Sequence, residues 1–98
     1  MTKNDILKFL KEKKEVFKKM FHIEEIGIYG SYSRGEQNEN SDIDIVYVLE
    51  DRDKFGYFEY LELEQMLTRK FKKKVELVNY HYMNPIIKYE AEKEIIYA

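Results

Sequence analysis

The chain has no cysteine, one proline and only four glycines in 98 residues. Without cysteine there is neither a disulfide framework nor a thiolate metal site. Proline and glycine are too few to make a flexible linker, and no repeat or low-complexity tract divides the sequence. No apolar run approaches the roughly 18 residues that cross a bilayer. The opening "MTKNDILKFLKEKK" lacks the hydrophobic stretch of a signal peptide. An excess of one charge is missing too. Seventeen Lys and Arg stand against nineteen Asp and Glu, for a formal net charge of -2, which excludes a broad electrostatic grip on a nucleic-acid backbone. The local basic clusters "KEKKEVFKK" and "RKFKKK" read as solvated helix faces and ends. His22 and His81 have no metal-ligand spacing with other donors and read as boundary or loop residues. These absences predict a soluble, cytoplasmic protein with no direct nucleic-acid binding.

What is present is globular: hydrophobic residues make up 44% and charged residues 37%. A chain of this length buries roughly 60–70% of its unfolded surface, enough for one core and one domain. Residues 4–21 read as a helix, with Ile6, Leu7, Leu10, Phe17 and Phe21 at three- and four-residue steps and Asn4 or Thr2 as N-cap. "IEEIGIYG" reads as a strand ending at Gly30. The polar segment 31–41 is a loop with a helical turn at its start. "DIDIVYVLE" is a strand apolar on both faces beyond Asp44, hence interior. Residues 55–72 form a second long helix on a stripe of Tyr60, Leu63, Leu67 and Phe71. "KKVELVNY" is a third strand. Asn84-Pro85 starts a last helix, running to about Glu94, and "IIYA" closes as a short edge strand. The fold class is α/β (α+β), a small mixed sheet of about four strands flanked by helices, in the order α-β-α(turn)-β-α-β-α-β.

The segment "GSYSRGEQNENSDIDIVYVLE", residues 30–50, is unlike scaffolding. Asp42 and Asp44 are two apart on a strand, so both side chains leave the same face, with Cα atoms about 6.5–7 Å apart. That spacing suits one divalent ion or a close pair, and carboxylate ligands favour Mg²⁺ or Mn²⁺ over zinc. Ordinary explanations exist for each residue alone: Asp42 as a cap or turn residue, and Asp44 paired with a neighbouring lysine. Gly30-Ser31 adds a second device. Glycine lets the backbone approach a phosphate, exposed amides donate to it, and the serine hydroxyl adds a hydrogen bond. Arg34, one turn on, reaches a phosphate oxygen as a charged donor. A phosphate cradle and a metal platform together are what a nucleotide site needs.

Gly-Ser, ten residues, then Asp-x-Asp resembles the signature of the polymerase-β-type nucleotidyltransferases. With Ser33-Arg34-Gly35 and Ser41-Asp42-Ile43-Asp44, it is similar to their small stand-alone branch, the minimal nucleotidyltransferases (MNT), the antitoxins of HEPN–MNT toxin–antitoxin pairs. The resemblance covers essentially the whole chain and implies a single minimal nucleotidyltransferase domain, 1–98. It implies a metal-dependent enzyme that binds ATP, with the phosphates at Gly30, Ser31 and Arg34 and the metal (Mg²⁺ or Mn²⁺) on Asp42 and Asp44. Members of the family carry a third carboxylate on the next core strand. Here that is Glu76 of "KVELV", where relatives commonly have Asp, so Asp42, Asp44 and Glu76 form the expected catalytic and metal set.

The resemblance also implies a partner, a HEPN-family ribonuclease toxin, which such antitoxins neutralise by transferring AMP from ATP to a tyrosine hydroxyl. Larger relatives carry a further domain for the acceptor, and these 98 residues have no room for one. Nine Tyr and six Phe suit either an interface or the filling of a thin core. Two alternatives stand beside AMP transfer: an antitoxin acting by contact alone, and a transferase with a small-molecule or nucleic-acid acceptor.

Overall fold

The computed structural model describes residues 1–98. The first helical segment is two helices, α1 (Lys3–Glu12) and α2 (Lys14–Phe21), rather than one helix over 4–21. Lys13 breaks them in the bridge region, at φ -101° and ψ 9°. The break falls in the polar run Lys11–Glu15, where no apolar side chain ties the turn to the core. The bend lets Ile6 and Leu10 of α1 and Phe17 and Phe21 of α2 all become fully buried. Thr2 is the N-cap, in a capping box with Asp5. His22 ends α2 in the left-handed conformation, φ 57°, and its carbonyl accepts the Glu50 amide at 2.8 Å.

Strand β1 (Ile23–Tyr29) leads into the single turn α3 (Ser31–Arg34). Strand β2 (Ile43–Leu49) follows, then a 3₁₀ turn at Arg52–Lys54 and helix α4 (Tyr57–Phe71). Strand β3 (Val75–Asn79), a 3₁₀ turn at Tyr80–Tyr82, helix α5 (Pro85–Glu92) and strand β4 (Ile96–Tyr97) complete the chain. Asn84 caps α5 by accepting the Ile86 amide at 2.9 Å, with Pro85 at the first helical position. α5 stops at Glu92, two residues short of the expected end.

The sheet order is β3-β2-β1-β4. β1 pairs antiparallel with both β2 and β4, and β2 pairs parallel with β3 through the α4 crossover. One face carries the main core: Ile43, Ile45, Tyr47 and Leu49 of β2 against α1, α2 and α4, where Leu63, Leu67 and Phe71 bury the predicted stripe. At roughly 1.5–3 kcal/mol for each large apolar side chain buried, this layer carries most of the stability. The other face is thinner. Val46 packs with Met83 and with Ala91 of α5, bordered by Tyr29, Val78, Tyr80 and Ile95. That thin layer stops short of the start of β2, and there the sheet presents its polar residues. No helix is long and apolar enough to cross a membrane.

Candidate active site

Gly30 stands between β1 and α3 at φ 76°, ψ -152°, a backbone shape that side chains with a Cβ rarely adopt. A Cβ there would collide with Asp44 Oδ2 and lie 3.2 Å from its Cγ. The turn and the strand carboxylate therefore touch, although fourteen residues separate them in sequence. α3 is pinned on its inner side. Tyr32 is buried in the main core, and the Ser33 hydroxyl donates to the Glu94 backbone carbonyl. Ser31, partly exposed, and Arg34, exposed, keep their outward positions.

The loop before β2 is set by its own hydrogen bonds. The Asn38 amide donates to Ser41 Oγ at 2.9 Å, and the Ser41 amide returns to the Asn38 carbonyl at 3.1 Å. Asp42 follows directly, at the mouth of β2. Asp44 is in register with Glu76 on β3 and with Tyr29 on β1, so the three side chains form a row across one face of the sheet.

Burial first, then the Glu76 carboxylate, a hydrogen bond shared with it, and Asp42 push the Asp44 carboxyl up to about 6. Burial, with Asp44, Glu76 and Glu94 nearby, pushes the Tyr29 hydroxyl up to about 12. The nearest cation to the outer carboxylates is Lys74, whose Nζ lies 3.9 Å from Asp42 and 3.7 Å from Glu76. No three acidic or histidine side chains converge on one point. The set is a row of hard oxygen donors with uncompensated charge at its centre. That fits Mg²⁺ or Mn²⁺, which take one or two protein carboxylates and complete their shell with water and substrate phosphate.

Gly30, Ser31, Asp42, Asp44 and Glu76 are brought to one end of the sheet, as the sequence predicts. Arg34 is there too, but not free. Its Nη1 bonds Glu94 Oε2 at 2.7 Å and its Nε lies 3.3 Å from Glu36. Three neighbours escape a sequence reading: Tyr29, Lys74 and Glu94. Tyr29 is marked only by its place before Gly30, and Lys74 only by lying two residues before Glu76. Nothing local singles out Glu94, because its role comes from the return of the chain sixty residues after Arg34.

A strand ending in a glycine turn, packed on paired carboxylates at the head of the adjacent strand, is an arrangement suited to nucleotidyl transfer. Residues 11–98 match the family model described as polymerase beta, nucleotidyltransferase. The chain belongs to that family and is a nucleotidyltransferase. A protein of Methanocaldococcus jannaschii, provisionally named a protein adenylyltransferase, is 35% identical over 98 residues, covering 99% of this chain and 98% of its own. The protein adenylyltransferase MntA of Thermococcus cleftensis is 31% identical, covering 100% and 97%. Among solved structures, a toxin–antitoxin with AMP-PNP superposes with a TM-score of 0.71 at 26% identity, over 99% of this chain and 72% of that one.

Proposed function

We propose that residues 1–98 act as one minimal nucleotidyltransferase domain that transfers AMP from ATP to a tyrosine hydroxyl of a HEPN-family toxin, neutralising it. The observation that carries this is the contact between Gly30 and Asp44, which makes the phosphate turn and the carboxylate row one continuous site. The similarity to protein adenylyltransferases along the whole chain supports protein as the acceptor class. The solved toxin–antitoxin with AMP-PNP supports a toxin partner and an adenine nucleotide.

In this proposal the Gly30 and Ser31 amides and the Ser31 hydroxyl hold the phosphates, assisted by Arg34. Asp42 and Asp44 would hold Mg²⁺ or Mn²⁺, with Glu76 beside them; when bound, the ion supplies charge neutralisation and alignment of the phosphates. The acceptor oxygen attacks the α-phosphorus, a new P–O bond forms, the bond to the β-phosphate oxygen breaks, and pyrophosphate leaves. The acceptor proton goes to the Asp44–Glu76 pair, whose carboxyls stand in register on neighbouring strands. Tyr29 flanks the row on its β1 side.

The test is mass spectrometry of the toxin partner after incubation with this protein, ATP and Mg²⁺. One or more added AMP groups are expected, and none with Asp44→Asn. One feature favours a second reading, neutralisation by contact alone: the site balances much of its own charge, with Lys74 on Asp42 and Glu76, and Glu94 on Arg34. Protection of cells by the Asp44→Asn variant would select that reading.

A further inference from the structure

The carboxylate of Glu94 lies in the cradle assigned above to phosphate. Glu94 sits in the turn between α5 and β4, far along the chain from the Gly30 turn. Its Oε1 accepts the Gly30 amide at 3.2 Å, and its Oε2 accepts from Arg34 Nη1 at 2.7 Å. Its backbone carbonyl takes the Ser33 hydroxyl, so the whole residue is fastened to α3. The side chain is only 24% exposed. A carboxylate and a phosphate edge offer the same chemistry to these donors: two anionic oxygens accepting from a backbone amide and a guanidinium.

We infer that Glu94 is a positioning residue of the nucleotide site, an internal stand-in for a phosphate that holds the Gly30 amide and Arg34 in place and yields them to the triphosphate. This rests on the preceding assignment of Gly30–Arg34 as the phosphate cradle. Both donors already face one anion, so a phosphate finds them oriented. The carboxylate must then swing aside, because two anions cannot share those donors at close range. Glu94 thus trades some nucleotide affinity for a preformed turn. It also ties nucleotide binding to the α5–β4 turn, which Ile95 anchors against the thinner core layer.

The test compares the intact protein with Glu94→Gln and with Arg34→Gln. Binding of ATP with Mg²⁺ and of inorganic tripolyphosphate is measured for each by calorimetry, with thermal unfolding alongside. Tripolyphosphate has no base or sugar and so reports on the cradle alone. Glutamine keeps the shape of Glu94 and its bond to the Gly30 amide while removing the charge. Glu94→Gln is expected to bind both ligands about fivefold tighter, the scale of one partly exposed charge pair, and to melt lower without ligand. A merely structural Glu94 would lower melting temperature and affinity together, so unchanged or weaker tripolyphosphate binding by Glu94→Gln overturns the inference. Arg34→Gln is expected to bind both ligands more weakly. If it does not, the cradle assignment fails, whatever Glu94→Gln shows. Should Glu94→Gln fail to fold, Glu94→Ser is held to the same expected tightening.

Discussion

Gly30 and Asp44 are packed directly against each other: the Asp44 carboxylate stands where a Cβ on residue 30 would have to go. Two penalties fall on any substitution of Gly30, the positive φ and this collision. Gly30→Ala is expected to cost about 1–3 kcal/mol of stability and to abolish nucleotide binding. The collision part is separable. In an Asp44→Gly background the cost of Gly30→Ala should fall by about 1 kcal/mol, measured by denaturant unfolding as a double-mutant cycle.

Asp44 also gives the fold a pH signature. Its carboxyl is pushed from 3.8 up to about 6 in the folded chain, by burial first and then by Glu76 and Asp42. The folded state holds that proton more tightly than the unfolded state. Its contribution to stability is therefore complete below about pH 4 and lost as pH rises through about 6. Asp44→Asn removes the ionisation. The variant is expected to melt higher than the native protein above about pH 6, with the difference shrinking towards about pH 4. Paired thermal melts across that range check it, and a variant that melts lower at neutral pH would speak against the proposed charge crowding.

Glu76 stands in register with Asp44 on the neighbouring strand. As part of the proton-accepting pair, its loss falls on the rate rather than on binding. Glu76→Gln is expected to slow AMP transfer by roughly 10²–10⁴-fold with little change in ATP affinity, and Glu76→Asp to restore part of the rate. The same Gln substitution should bring the Asp44 carboxyl back down towards its ordinary range, readable by NMR titration.

Lys74 neutralises the outer carboxylates at 3.9 and 3.7 Å but is 70% exposed, so the competition it offers a divalent ion is modest. Lys74→Gln is expected to raise Mg²⁺ affinity about two- to fivefold at low salt. The gain should fade as ionic strength rises.

Much of this was legible in the amino-acid order because its causes are local. Gly30 needs a positive φ, Asp42 and Asp44 share a strand face by alternation, and Asn84-Pro85 caps a helix by its own chemistry. The helix break at Lys13 was not legible, since the three- and four-residue apolar spacing continues across it. What bends the chain there is the fit of two apolar faces to one sheet. The spacing suggests Arg34 as a phosphate donor, whereas the anion it meets in the fold is Glu94, brought back beside β1 by the pairing of β4. Gly27 makes that pairing possible, because a Cβ there would strike the Ile96 carbonyl and lie 2.9 Å from Tyr97 Cα. Contacts of this kind depend on the finished sheet and leave no trace in spacing.

The decisive measurement is transfer of label from α-³²P-ATP to a purified HEPN toxin, the proposed partner, with the native protein and with Asp42→Asn and Asp44→Asn, each shown to be folded and to bind that toxin. Labelled toxin carrying AMP on tyrosine is expected with the native protein only. Label transferred equally well by Asp44→Asn, or an unlabelled toxin that the native protein nevertheless neutralises, would contradict the assignment of this site to AMP transfer.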